Sequence, residues 1–300
     1  MLIGVSSFAE TDDRPLSRLR SVGLEVTRNP FGRRLTGPEV SELMESDVVG
    51  LIAGLEPLDR AVLAGSHLRV VSRVGVGLTN VDLEAACELG IEVRCTPDAP
   101  TQAVAELTLG AALALLRGLM EMDRAMREGR WERHLGTQLG GKTVVIVGFG
   151  RVGRRVAELL RPFGARVLVV DPNLDPSQTA GCPLLPLPEA LPQADLLTLH
   201  ASGEDRLLDT AEFAAMKDGV FVLNAARGGL IDEAALAAAL DSGKVAGAWL
   251  DTFLEEPYAG PLRAYANVLL TPHAGSNTRE CRARMEMEAV DNLLDALGKT

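Results

Sequence analysis

Aromatic residues make up only 4% of this 300-residue chain, with two tryptophans and two tyrosines. Its core must therefore be built from aliphatic side chains. Cysteine is also scarce. Cys87, Cys95, Cys182 and Cys281 stand far apart with no C-x-x-C pair. That spacing signals neither zinc ligation nor a disulfide framework, so reduced thiols in a cytoplasmic protein and no metal site are the expectation. Basic charge is in deficit, with 30 Lys and Arg against 41 Asp and Glu, a formal net charge of −11 and a pI near 5.0. A nucleic acid or an acidic membrane surface is not the partner such a chain suggests. Long apolar runs are missing: the greasiest stretch, 107–116, is about half the ~20 residues a spanning helix needs. The start Met1-Leu2-Ile3-Gly4-Val5-Ser6 has neither a basic n-region nor a long apolar h-region and does not read as a signal peptide. The expectation is a soluble chain.

What is present is the balance of a globular protein, 47% hydrophobic and 24% charged. The length suits two domains. Short runs of Val, Ile and Leu alternate with helix-like segments throughout. Strands are expected at 2–6, 48–53, 69–72 and 91–93, with amphipathic helices at 15–22, 38–45 and 83–89. A second series of strands follows at 143–147, 166–170, 195–199, 220–223, 245–250 and 268–270. Near-continuous apolar strands separated by helices mean parallel sheets covered on both faces, an α/β chain with two doubly wound domains. Between the two series, 101–128 reads as one long helix, apolar nearly all round in its first half. It suits either an intradomain core helix or one that also packs against a partner subunit.

Thr143-Val144-Val145-Ile146-Val147 runs directly into Gly148-Phe149-Gly150-Arg151-Val152-Gly153, then a helix over 154–160 and a strand ending at Asp171. In such a G-x-G-x-x-G turn, Gly148 permits the tight turn, Gly150 admits a pyrophosphate to the backbone, and Gly153 lets helix and strand pack closely. The helix start offers free N–H groups to phosphate. Asp171 stands 18 positions after Gly153, where a carboxylate takes the ribose hydroxyls of the adenosine half and repels a 2′-phosphate. Neither Pro172 nor Asn173 supplies a compensating cation, so NAD is the expected cofactor. The nucleotide domain is the second in sequence.

With these residues in view, the chain resembles the D-isomer-specific 2-hydroxyacid dehydrogenase family, whose members include phosphoglycerate, glycerate and D-lactate dehydrogenases. The likeness runs from about Leu51 to near the end. It rests on Arg73-Val74-Gly75-Val76-Gly77-Leu78-Thr79-Asn80-Val81-Asp82, Val104-Ala105-Glu106, the glycine fingerprint and Asn224-Ala225-Ala226-Arg227-Gly228. Asp251-Thr252-Phe253-Leu254-Glu255-Glu256-Pro257 and Thr271-Pro272-His273-Ala274-Gly275 complete the set. The resemblance is greatest to phosphoglycerate dehydrogenases without their regulatory C-terminal extension, since the sequence ends at Thr300.

The resemblance implies a flavodoxin-like substrate domain over 1–98 and 276–300, a Rossmann NAD-binding domain over 99–275, and a substrate cleft between them. It implies catalytic roles for Arg227, Glu256 and His273. Removing a hydride and a proton from an alcohol needs a base near neutrality, which suits His273. A carboxylate such as Glu256 would orient it, and Arg227 would meet the substrate carboxylate and the carbonyl oxygen. Cofactor contacts carried over by position are Gly148, Gly150, Arg151, Val152, Gly153, Asp171, His200, Ala225, Arg227, Asp251, His273 and Gly275. Substrate contacts are Arg73, Val76, Gly77 and Arg227. Thr101 is either a further cofactor contact or a helix cap, and His67 and His134 are surface or packing residues. Two departures stand out. After His200 the chain runs Ala201-Ser202-Gly203-Glu204-Asp205, shorter than the family's proline-containing loop. Gly54-Leu55-Glu56 stands where phosphoglycerate enzymes tend to carry a basic residue. The implied activity is NAD-dependent interconversion of a D-2-hydroxy acid and its 2-keto acid, with 3-phosphoglycerate as leading substrate and glycerate, glyoxylate or lactate as others. An NADH-sensing, corepressor-like protein is the alternative from another class. The family usually forms homodimers, and the 101–128 region is the natural seam.

Overall fold

The computed structural model describes residues 1–10, 12–44, 47–203 and 205–299. The chain divides into two compact units, Met1–Pro100 with Asn277–Thr300, and Thr101–Ser276.

The first unit is built on a parallel five-stranded sheet of β1 (Leu2–Ile3), β2 (Thr27–Arg28), β3 (Gly50–Ala53), β4 (Val70–Arg73) and β5 (Glu92–Arg94), in the order β2-β1-β3-β4-β5. This is the flavodoxin-like order. Helices α1 (Arg14–Ser21), α2 (Gly37–Leu43), α3 (Arg60–Ala64) and α4 (Leu83–Glu88) cross between strands. Strands β1 and β3 are buried throughout, as their unbroken apolar sequences require. β2 is a polar, exposed edge pair and carries no pattern a sequence reading would catch. β1 is shorter than the expected 2–6 because the chain turns after Gly4 to bury Phe8. Part of the helix expected at 38–45 (Glu45) lies outside the described residues. Asp59 and Asp82 start α3 and α4 by accepting from the Val62 and Ala85 amides at 3.0 and 2.8 Å.

The second unit opens with α5 (Pro100–Leu116), whose first residue closes the first unit, and α6 (Leu119–Arg127). The single helix expected at 101–128 is thus two, bent by 66° at the break. Gly118 sits there at φ +57, and a Cβ on it would collide with the His134 ring. A left-handed residue cannot continue a right-handed helix, and the periodicity of the flanking apolar residues conceals it. His134 is a packing residue at this corner. Among the described residues no single helix is long and apolar enough to cross a membrane.

There follow β6 (Thr143–Val147), α7 (Arg151–Leu160), β7 (Arg166–Val170), α8 (Leu187–Ala190), β8 (Leu196–Leu199), α9 (Thr210–Ala215), β9 (Val220–Asn224), α10 (Glu233–Asp241), β10 (Val245–Leu250) and β11 (Val268–Leu270). All pair in parallel, in the order β11-β10-β9-β8-β6-β7. Beyond β7, Leu184 makes a single parallel bridge to Val169. With that remnant as a third strand, the order is the Rossmann one. Alternate residues of β6 feed opposite layers. Val144 and Ile146 pack with Ala111, Leu115 and Val156, whereas Val145 and Val147 pack with Phe213, Leu236 and Leu240. The final helix, α11 (Arg279–Ala296), returns to the first unit and packs on β3 and β4.

Candidate active site

In an open parallel sheet, ligands bind at the carboxyl ends of the strands, where the strand order reverses. In the second unit that point lies between β6 and β8. Gly148 follows β6 at φ +90, and a Cβ there would collide with the backbone of His200 and Ala201. A Cβ on Gly153 would strike the Gly148 carbonyl oxygen, whereas one on Gly150 would meet nothing within 4 Å. The glycine turn is therefore closed towards the protein and open on its outer side. α7 begins at Arg151, three residues earlier than the sequence suggests, with Gly150 as its N-cap and no side-chain cap bond. Its first N–H groups face that opening, a cradle that fits a pyrophosphate. Arg151 is exposed and Val152 half-buried at its rim.

Asp171 follows β7. Its Oδ2 accepts from the Phe149 amide at 2.9 Å and its Oδ1 from the Asn173 amide at 3.0 Å. The carboxylate thus holds the glycine turn itself while standing beside it, which fits an adenosine ribose at this place. His200 follows β8 directly, its Nε2 2.9 Å from Thr198 Oγ1 and its amide donating to the Val147 carbonyl at 2.7 Å. Burial pushes its pKa down to about 4, so it is a neutral ring at physiological pH. Of the short loop after it, Glu204 lies outside the described residues. Thr101 lies inside α5 rather than before it, and its buried hydroxyl has no hydrogen-bond partner among the described residues, so it is not the helix cap.

Three further loops leave the same sheet edge, after β9, β10 and β11. Asn224, fully buried, braces the first: its Nδ2 donates to the Arg227 carbonyl at 2.8 Å and its Oδ1 accepts from the Ala226 amide at 3.0 Å. Arg227 is half-buried, with Nη1 donating to the Ala226 carbonyl at 2.8 Å, and Ala225 is half-buried beside it. The next residue, Gly228, lies against the backbone of Phe253 and Leu254 with no room for a Cβ. That contact joins the Arg227 loop to the loop carrying Glu256.

The third loop is fixed by Asp251. Only 2% exposed, it accepts from Thr271 Oγ1 at 2.5 Å and from the Ala274 and Gly275 amides at 2.8 Å each. Thr271 in turn accepts from Trp249 Nε1 at 2.9 Å. His273 donates its amide to the Asp251 carbonyl at 2.8 Å and sits at φ +50, a conformation non-glycine residues rarely adopt. The surrounding bonds hold that strain in place. Its side chain is 55% exposed, and Nδ1 stands 3.0 and 3.2 Å from the two Glu256 carboxylate oxygens. Glu256 Oε1 also accepts from the Phe253 amide at 3.1 Å. With Nδ1–H donating to Glu256, Nε2 is left as the ring's free acceptor.

Arg227, Glu256, His273, Asp251, Gly275, Ala225, Gly148, Gly150, Gly153, Asp171 and His200 therefore share one edge of one sheet in the second unit. Arg73, Val76 and Gly77 belong to the first unit. There Arg73 ends β4, its Nη1 donating to the Val74 carbonyl at 2.9 Å and covering Gly75, and Val76 is exposed. The crevice between β1 and β3 is filled by Glu56, 1% exposed, whose carboxylate accepts from the Gly54 amide at 3.0 Å through each oxygen. Burial pushes its pKa up, with Arg34 and Arg73 working against that. Sequence reasoning did not single out Asn224, Gly228 or Thr271 as parts of the site. All three stand inside motifs that carry the family resemblance, Asn224 and Gly228 on either side of Arg227 and Thr271 two residues before His273, and that was the available signal. Among the described residues no cluster of three or more His, Cys, Asp or Glu is placed to hold a metal.

Residues 109–275 match the model of the D-isomer specific 2-hydroxyacid dehydrogenase NAD binding domain. The chain belongs to this family. The D-3-phosphoglycerate dehydrogenase of Homo sapiens is 39% identical over 302 residues, covering 93% of this chain and 57% of that protein. That of Mycobacterium tuberculosis is 38% identical over 278 residues, covering 88% and 52%. The chain spans a little over half the length of these curated relatives. Among solved structures, a Thermus thermophilus protein is similar with a TM-score of 0.89 and 38% identity, over 99% of this chain and 96% of that one. A glyoxylate reductase from Paecilomyes thermophila gives 0.87 and 30%, over 99% and 94%. The stretch that matches the NAD binding domain model, 109–275, lies within the second unit.

Proposed function

We propose that the chain is an NAD-dependent D-2-hydroxyacid dehydrogenase. The observation that carries this reading is the His273–Glu256 pair, an exposed imidazole held by a carboxylate at 3.0 Å on the same sheet edge as the glycine turn. Bound NAD supplies the hydride acceptor. The Gly148–Gly153 turn and the start of α7 hold its pyrophosphate and Asp171 its ribose. His273 Nε2 takes the hydroxyl proton as the hydride leaves the same carbon, and returns it when a 2-keto acid is reduced. Glu256 keeps Nδ1 protonated and the ring aimed, and stabilises the imidazolium formed. Arg227 neutralises the substrate carboxylate and the charge on the carbonyl oxygen.

The leading substrate pair is 3-phosphoglycerate and phosphohydroxypyruvate. The Arg73 guanidinium, lying over the glycine turn that leads to Val76 and Gly77, supports an anionic substrate. Glu56 in place of a basic residue after β3 favours a small unphosphorylated acid, so both classes enter the test. Following NADH absorbance with a panel of 2-keto acids, phosphohydroxypyruvate included, is that test. Oxidation of NADH with one of them supports a dehydrogenase. NADH binding without oxidation by any would overturn it in favour of a nucleotide sensor.

The second copy of a homodimer belongs on α6 and the stretch after it. Leu119 and Met126 are 49% and 52% exposed, Trp131 is 79% and Leu135 98% exposed. Large apolar side chains left exposed within one short stretch of chain, 119–135, support an interface there.

A further inference from the structure

Glu256 must face His273 from a loop with little regular structure, and Leu254, Glu255 and Pro257 around it are all exposed. Among the described residues, the buried residue hydrogen-bonded to its carboxylate is Phe253, through the amide at 3.1 Å. Phe253 is pinned from two sides. Gly228 presses on its carbonyl, and the ring of Tyr258 stacks on its own at a centroid distance of 4.2 Å and 20°. Tyr258 is tied down in turn. Its hydroxyl donates to Glu233 Oε2 on α10 at 2.8 Å and accepts from the Leu262 amide at 3.3 Å. Gly260 leaves space for that hydroxyl, since a Cβ there would collide with it.

We propose that Tyr258 is a positioning residue for the Glu256–His273 pair, acting through Phe253, with Glu233 as its anchor on α10. The proposal rests on the dehydrogenase reading for its kinetic test but not for its spectroscopic one. The loop would otherwise be free to swing at its exposed tip. A stacked ring hydrogen-bonded to a helix turns Phe253 into a fixed point three residues from the carboxylate. Burial and the Glu233 carboxylate push the Tyr258 pKa up to about 12, so the phenol stays a donor over the working pH range.

Tyr258→Phe keeps the ring and removes the donor. The expected result is a kcat lowered about 3- to 30-fold, the range one lost hydrogen bond commands, with KM for the keto acid and Kd for NADH within about twofold. Glu233→Gln still offers the phenol an acceptor and should stay near the parent, whereas Glu233→Ala should match Tyr258→Phe. In a Glu256→Gln background Tyr258→Phe should change kcat by less than about twofold, because coupled residues are not additive. A Tyr258→Phe enzyme with the parent's kcat, or one whose loss persists undiminished in the Glu256→Gln background, would overturn the proposal. The nuclear magnetic resonance signal of the His273 Nδ1 proton supplies a readout without turnover. It should weaken or shift in Tyr258→Phe and return in Glu233→Gln, and an unchanged signal would also overturn the proposal. A parent chain inactive on every keto acid would sink the dehydrogenase reading, while this signal would still decide the positioning role.

Discussion

Gly228 rests directly on the backbone of Phe253, so that any Cβ at position 228 would be forced into the Phe253 carbonyl carbon. The contact couples the loop that aims Arg227 to the loop that aims Glu256. Gly228→Ala should therefore misplace both at once. Overpacking of this kind costs about 1–3 kcal/mol of stability. Misalignment of reacting groups lowers turnover about 100-fold. Urea unfolding and steady-state kinetics check the two effects. A variant destabilised by that amount but turning over at the parent's rate would mean the two loops are set independently.

Asp171 has two partners in the protein, the Phe149 and Asn173 amides, and in the proposed function a third in the ribose hydroxyls. Asp171→Ala should weaken NADH binding about 10- to 100-fold, the range of a hydrogen bond to a charged group, and leave NADPH binding the same or tighter. Fluorescence titration with both cofactors measures it. An unchanged NADH to NADPH ratio would contradict the ribose assignment.

The pH dependence of stability has a legible sign at His200. Its pKa falls from an ordinary 6.5 to about 4 because burial disfavours the imidazolium. Between those values the unfolded chain binds more protons than the folded one, so stability from this residue is complete above pH 6.5 and is lost as pH falls through 4. Glu56 and Glu286 act in the opposite sense, since burial pushes both carboxyls up. Their contribution is complete below their ordinary pKa and declines as pH rises through the raised value. Comparing unfolding free energies of the parent and His200→Asn from pH 7 to pH 4 isolates the histidine. The parent should lose more stability over this interval than the variant, and equal losses would contradict a buried neutral His200.

Much of the second unit was legible in the sequence because its strands are apolar and lie largely in the interior, with exceptions such as exposed Arg166 and Ala246 and the half-buried Leu269 and Leu270 of the edge strand β11. Thr143–Val147, Arg166–Val170, Val245–Leu250 and Val268–Leu270 were all read at the bounds the structure has. An unbroken apolar run can only be satisfied there. The polar edge strand Thr27–Arg28 has no such signature. The bend at Gly118 was hidden for a different reason, since apolar residues continue on both sides and only the backbone torsion breaks the helix. Motif residues such as His273 and Glu256 could be picked out singly, but their 3.0 Å approach depends on partners distant in sequence. Asp251 lies 20 residues before Thr271, and Glu233 lies 25 before Tyr258. Such pairings are set by which strands are neighbours, and no local pattern records them.

The proposed homodimer predicts a specific surface. Trp131 and Leu135 are 79% and 98% exposed in the single chain, and burying two such side chains is worth several kcal/mol, on the order of 1.5–3 for each. Trp131→Glu with Leu135→Glu should shift the chain to monomer in sedimentation velocity while its far-ultraviolet circular dichroism stays the same. Dimers of undiminished affinity would place the interface elsewhere.

In the proposed reaction His273 carries the proton while the hydride crosses, and everything else in the site serves that transfer. The most direct measurement is single-turnover loss of NADH absorbance with the keto acid the panel selects, comparing the parent with His273→Ala. Loss of a general acid–base group costs about 10²- to 10⁴-fold in rate, and a fall of that size is expected with the NADH dissociation constant unchanged. A His273→Ala chain that reduces the keto acid at the parent's rate, or loses NADH affinity in equal measure, would contradict it.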